Sequence, residues 1–331
     1  MPTTNRNKED MQMKNMWKSA IMGVVVGDAL GCPVQFETRA QVAASPVKGM
    51  IGYRTFNMPE GTWTDDSALT LALTDSIIKT DGIFCKDIME RFVRWLEEGE
   101  YTPYGFSFDI GRGTMDAIKS YEASKDPYKC GGTSANNNGN GSLMRIMPAV
   151  LYGIKHARVN YAAVHMIHTV SALTHAHDRA KIACGLYYFM AKAILDLPDN
   201  IPIIGKLQAG LDAGFQYYED SGYDAEELAY YHRLRNLLDF KNAPIISIKS
   251  SGYVVDTLEA AVWGLITTGS FEEALLKLVN LGGDTDSIAA VAGGLAGLYY
   301  GYDAIPAHWL AVIKRREWIE GMLDKLDGEV R

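Results

Sequence analysis

Cysteine is scarce in this chain, and the four among its 331 residues, Cys32, Cys85, Cys130 and Cys184, form no CxxC pair. Such scatter argues against a disulfide framework and a thiolate zinc site, and it fits reduced thiols in a cytoplasmic protein. Histidine is sparse too, at seven residues. His175 and His177 stand two apart, not at the four-residue spacing by which one helix face presents two zinc ligands. Basic residues are outnumbered, with 32 Lys and Arg against 40 Asp and Glu for a net charge of −8. A nucleic-acid surface needs the opposite balance. No apolar run approaches the roughly 18–20 residues that cross a bilayer, and Asp28 interrupts the stretch 21–30, so no membrane partner is expected. The polar residues 1–14 lack the arrangement of a signal peptide and read as a disordered tail, which leaves 15–331 as one domain.

What the chain has in abundance is apolar side chains at helical spacing. Hydrophobic residues make up 47% of it, enough for a large core. A 3.6-residue period runs through 16–30, 65–80, 87–98, 160–171, 178–195, 204–218, 225–238, 257–268, 271–281, 285–300 and 307–326, and no segment alternates like a strand. The fold class expected is therefore all-α, a single compact multi-helix domain. The segment 285–300 is crowded with Ala and Gly, packs closely against neighbours and belongs at the centre. Between helices, 46–61, 99–113 and 126–142 are long loops rich in Gly, Asn and Pro, and long loops within a compact domain usually carry function.

Two acidic clusters hold most of the chemical information: Thr64-Asp65-Asp66-Ser67 and Asp284-Thr285-Asp286-Ser287. Residues one or two apart do not share a helix face, so these oxygens converge from a loop or from a helix's first turn. Each cluster taken singly also reads as a helix N-terminus, with a capping side chain followed by anions at the positive end of the dipole. Glycines precede both, Gly61 before the first and Gly282-Gly283 before the second, and allow sharp bends and close approach to an ion or phosphate. Oxygen-only ligands suit Mg²⁺, Mn²⁺ or Ca²⁺.

Other candidates are weaker alone. Gly139-Asn140-Gly141-Ser142 is a glycine-rich turn able to offer backbone N–H groups to phosphate, or simply a turn. Arg145 sits among apolar residues as a ligand contact or a structural tether. His175 stands before a helix where it can donate to a ligand oxygen or serve in the core. Asp109 lies between Phe108 and Ile110, where burial raises a carboxyl's pKa and makes it a proton acceptor, although an Asp bonded within a turn fits equally. His165, His168 and His232 read as structural, and 314–317 as a solvated helix face.

Taken in order, these motifs resemble the ADP-ribosylglycohydrolase family, of the dinitrogenase-reductase-activating glycohydrolase type, over nearly the whole chain. The residues carrying the resemblance are Gly27-Asp28-Ala29-Leu30-Gly31, the segment 61–67, Asn140-Gly141-Ser142-Leu143-Met144-Arg145, Thr174-His175, the segment 252–259 and Gly283-Asp284-Thr285-Asp286-Ser287. The resemblance implies an all-α fold whose central cleft holds two Mg²⁺ or Mn²⁺ ions on Thr64, Asp65, Asp66, Asp284, Asp286 and Ser287. It implies a diphosphate cradle at 139–142, with Asn140, Gly141 and Ser142 binding substrate, His175 near a ribose and Tyr253 as a stacking partner.

The activity implied is hydrolysis of the glycosidic bond between ADP-ribose and an acceptor, arginine on an ADP-ribosylated protein above all, or a small-molecule ADP-ribose conjugate. Asp109 would assist proton transfer, with Asp65 and Asp286 as further catalytic carboxylates. One departure stands out: many relatives carry Pro-x-Glu after the first motif, whereas here Pro33-Val34 leads to Gln35. An amide binds substrate but supplies neither anionic ligand nor base. The alternative it raises is an ADP-ribose binding or sensing protein impaired in turnover.

Overall fold

The computed structural model describes residues 15–327, and every regular element among them is helical. The expected tail, 1–14, lies outside the described residues. The longer helices are α1 (Met16–Gly31), α2 (Asp65–Thr80), α3 (Cys85–Glu98), α4 (Arg112–Ser124), α5 (Met147–His156) and α6 (Asn160–Ala172). They continue with α7 (Asp178–Asp196), α8 (Ile203–Asp220), α9 (Val254–Ile266), α10 (Phe271–Val279), α11 (Thr285–Tyr300) and α12 (Arg316–Asp327). None is long and apolar enough to cross a membrane. The β-type pairing among the described residues is confined to two isolated bridges, Gly132 with His175 and Gly139 with Tyr253.

The centre is the antiparallel pair α1 and α11. Gly23, Gly27 and Gly31 recur every fourth residue and so share one face of α1. A methyl on Gly23 would strike the Gly293 carbonyl, one on Gly27 the Ala289 carbonyl, and one on Gly31 the backbone of Asp286. The helices therefore touch backbone to backbone. Thr285 Oγ1 adds a 2.8 Å hydrogen bond to the Gly31 carbonyl. This packing brings the C-terminal half of α1, with Asp28, against the acidic first turn of α11.

Two expected helices are broken. The segment 225–238 divides into Ala225–Ala229, a 3-10 turn and Leu237–Lys241. Asn236 accepts from the Asp239 amide at 3.2 Å and starts the last piece afresh, while Tyr231 turns inward and donates to the Arg179 carbonyl at 2.6 Å. The segment 307–326 breaks at Arg315, whose φ is +55°. There the Lys314 amide donates to the Gly61 carbonyl at 3.0 Å and Arg315 Nη1 to the Thr102 carbonyl at 2.8 Å. The charge run 314–317 is thus a clasp on the first-cluster loop, and only its end belongs to a helix face. Helix α4 escaped the pattern because it buries only Thr114, Ala117, Ile118 and Tyr121, too thin an apolar stripe. Helix α5, likewise unmarked, starts with Pro148 near its N-terminus.

Candidate active site

Both acidic clusters are helix starts, and they face each other. Asp65, Asp66 and Ser67 form the first turn of α2; Thr285, Asp286 and Ser287 form that of α11. Thr64 and Asp284 precede these turns, yet neither side chain caps its own helix. Asp28 on α1 caps α2 from outside instead. Its carboxylate accepts from the Thr64 and Ser67 amides, each at 2.9 Å, and from Ser67 Oγ at 2.5 Å and Thr64 Oγ1 at 3.0 Å. Burial pushes Asp28 up to about 6, against the pull of these hydrogen bonds.

Oxygens of Asp28, Asp66 and Asp286 lie within 4.8 Å of one another. Ser287 Oγ and Thr64 Oγ1 reach Asp66 Oδ2 at 3.4 and 3.3 Å, tying the clusters together. Burial and then neighbouring carboxylates push Asp65, Asp66 and Asp286 well above the usual range. Asp66 Oδ1, Asp286 Oδ2, Asp109 Oδ2 and Gln35 Oε1 are buried without a hydrogen-bond donor. Buried acceptors are otherwise almost always satisfied. Crowded carboxylates with unused lone pairs need shared protons or a cation, and an all-oxygen donor set fits a hard divalent ion.

The loop after α1 completes this wall. Phe36 N donates to the Gly283 carbonyl at 2.7 Å and Gly283 N to the Glu37 carbonyl at 2.8 Å. Gly282 and Gly283, with φ of +70° and +81°, press against the backbones of 37–39 and Ser250. Their close approach is thus to the protein's own chain. Gln35 Nε2 consequently reaches Asp284 Oδ1 at 3.4 Å, and Asn140 Nδ2 reaches Asp284 Oδ2 at 2.5 Å. Asp109 stands close to Asp286 and Gln35 at φ +56°, and burial pushes it up to about 6.

A cleft of about 390 Å³ opens above these groups, lined by Gln35, Asp65, Asp109, Asn140, Asp284 and Ser287 together with glycines and His175. Gly139 in its wall pairs with Tyr253, through Asn140 N to the Gly252 carbonyl and Val254 N to the Asn138 carbonyl, both at 3.0 Å. His175 is buried, and burial with the nearby Arg145 charge pushes it down to about 3. Arg145 Nη2 donates to Thr174 Oγ1 at 2.7 Å, and that hydroxyl lies 2.8 Å from His175 Nδ1. The Arg145–Thr174 pair thus holds the imidazole by its Nδ1 edge, and Nε2 faces the glycines of the cleft. Methyls on Gly113, Gly139 and Gly141 would all crowd that imidazole. Ser142 points its hydroxyl into the core, accepting from Ser171 Oγ at 2.9 Å. Tyr253 follows Gly252 of the cleft wall but is not itself among the lining residues, and its hydroxyl accepts from Arg179 Nη1 at 3.1 Å.

The model of the ADP-ribosylglycohydrolase family matches residues 11–331. The chain belongs to that family. It is accordingly a hydrolase. It is 30% identical over 309 residues, 93% of this chain and 78% of the relative, to ADP-ribosylarginine hydrolase Tri1 of Serratia proteamaculans (strain 568). It is 29% identical over 297 residues, 88% of each chain, to ADP-ribosyl-[dinitrogen reductase] glycohydrolase of Rhodospirillum rubrum. Among solved structures, an ADP-ribosylglycohydrolase-related protein complex superposes with a TM-score of 0.76 at 30% identity, over 97% of this chain and all of that one.

For this glycohydrolase, sequence reasoning missed Asp28 as a site residue. The signal was present as one carboxylate inside an apolar helix, in a motif flanked by glycines. Gly113, against His175, and Thr114, in the cleft wall, were missed as well, since α4 carried no visible period.

Proposed function

We propose that this glycohydrolase cleaves the bond between the anomeric carbon of ADP-ribose and an arginine of an ADP-ribosylated protein, with divalent metal required. The observation carrying this reading is the set of buried, donor-free oxygens on Asp66, Asp286, Asp109 and Gln35. The names of the relatives support arginine as acceptor. Asp66 and Asp286 would hold the metal together with Thr64, Asp65, Asp284 and Ser287, and Asp28 joins this set by its position. A hard divalent cation bound there supplies Lewis acidity.

The chain's own groups account for the remainder. Asp109, poised near neutrality, takes the proton from the attacking water as oxocarbenium character develops at the anomeric carbon. Gln35 donates to Asp284 and orients the ligand. His175 donates to a ribose oxygen through Nε2, Asn140 and Gly141 border the diphosphate, and the Tyr253 ring flanks the base. Ser142 contributes through the backbone of its turn.

Incubation of an ADP-ribosylarginine peptide with the protein and Mg²⁺ or Mn²⁺ tests the proposal. Release of free ADP-ribose that EDTA abolishes is expected. Binding without release, or release untouched by EDTA, overturns it in activity or in metal dependence respectively.

A further inference from the structure

The cleft does not end at its acidic floor. From the residues beside Gln35 and Asp109, aromatic rings continue outward over the surface in unbroken contact. Phe36 meets Phe56 at 6.3 Å between centroids, Phe56 meets Phe108 at 5.5 Å, and Phe108 meets Phe106 and Phe106 meets Tyr104 at 6.2 Å each. Three of these rings are substantially open to solvent: Phe36 is 65% exposed, Phe106 48% and Tyr104 39%. Single exposed apolar residues are ordinary, but a contiguous aromatic strip running from a cleft marks a contact surface.

Folding of the core does not account for this strip. Phe36 holds a left-handed backbone with φ +65°, a costly conformation for a bulky residue, and displays its ring to water. The strip is also held in place. Thr55 Oγ1 donates to the Gln35 carbonyl at 2.7 Å, Tyr104 Oη bonds Thr62 Oγ1 at 2.9 Å, and Ser107 Oγ donates to the Leu96 carbonyl at 3.0 Å. Rigid aromatic anchors that need no ordering on contact are what binding hot spots consist of.

We infer that the strip from Phe36 to Tyr104 docks the polypeptide that carries the ADP-ribosyl group, on the acceptor side of the bond to be cut. The inference rests on the proposed hydrolysis and adds the surface on which its protein substrate docks. Three features select this occupant. The strip is continuous with the cleft through Gln35-Phe36 and Phe108-Asp109. It extends several rings beyond the cleft mouth, farther than one arginine side chain reaches. Ring faces attract guanidinium groups and apolar side chains alike, as an arginine-bearing segment offers.

Phe106→Ala in the full chain is the test, since Phe106 does not line the cleft. Steady-state kinetics on an ADP-ribosylated protein and on free ADP-ribosylarginine should diverge. The expected result is a KM about tenfold higher for the protein substrate, the order of one lost aromatic contact, with kcat and the small-substrate kinetics unchanged. Phe106→Tyr should restore the protein KM. Equal losses on both substrates, or none on either, overturn the docking strip, as would a wild-type dimer that Phe106→Ala dissociates in sedimentation. Should wild type hydrolyse neither substrate, the hydrolytic reading fails separately, and calorimetry decides the strip. Tighter binding of ADP-ribosylated polypeptide than of ADP-ribose, cancelled by Phe106→Ala, upholds it; equal binding of the two defeats it.

Discussion

The two acidic clusters look alike in sequence, and the fold treats them differently. The first is held from outside: Asp28, from another helix, takes the amides of Thr64 and Ser67 and both hydroxyls. The second has no such outside cap on its helix amides: Asp286 Oδ1 accepts from its neighbour Ser287 N at 2.8 Å, while Asn140 and Gln35, each from a remote segment, grip the Asp284 side chain instead. Capping and ion binding are therefore not rival explanations of an acidic helix start. When a distant carboxylate does the capping, the cluster's own oxygens remain unused, as Asp66 Oδ1 shows.

The comparison breaks most visibly at the unused oxygens. Asp66→Ala and Asp286→Ala should each lower turnover by orders of magnitude, measured as ADP-ribose release, while the protein stays folded. Each should also melt higher than wild type in EDTA, because one member of a mutually repelling buried group is gone, and gain less from added Mg²⁺. Wild-type rates, or a lower melting temperature in EDTA, would reduce the clusters to caps.

Asp28→Ala probes the outside hold. It leaves two buried amides and two hydroxyls without their acceptor, and should cost about 3 kcal/mol in urea unfolding, from the usual penalties for unsatisfied groups and lost caps. A loss below 1 kcal/mol, on that same scale, would mean α2 does not depend on α1 for its cap.

Gln35→Ala tests the hold on Asp284. The expected cost is about 1–2 kcal/mol in kcat/KM, as for one hydrogen bond in the transition state. Gln35→Glu sharpens it, since a carboxylate placed beside Asp109 and Asp284 should change an existing rate only modestly. Turnover found in Gln35→Glu and absent in wild type would make the natural chain a binder. Smallest is Thr285→Val, which removes the tie from α11 to the Gly31 carbonyl and should cost about 1 kcal/mol in thermal unfolding with activity retained.

Much of this was legible from residue order. The starts of α2 and α11 fall at 65 and 285, as glycine followed by carboxylates and an apolar period requires. The breaks at Asn236 and Arg315 were not legible, because each goes with bonds to remote parts of the chain, Arg315 to Thr102 and Tyr231 to Arg179 at the start of α7. Nor was the division of labour within the turn 139–142, where Asn140 faces Asp284 and Ser142 faces the core. One residue of rotation separates those fates, and only packing fixes it.

By itself the sequence determined the helices, their period, the glycines spaced by four on α1 and the presence of two carboxylate-rich helix starts. These follow from local rules: apolar spacing, backbone freedom at glycine and the attraction of anions to a helix N-terminus. The tertiary structure alone decided that Asp28 belongs with Asp66 and Asp286, that Thr174 holds the His175 imidazole and that five aromatic rings line up from the cleft mouth outward. The reason is distance along the chain. Oxygens some 220 residues apart converge only because α1 and α11 pack backbone to backbone, a contact that no local preference encodes.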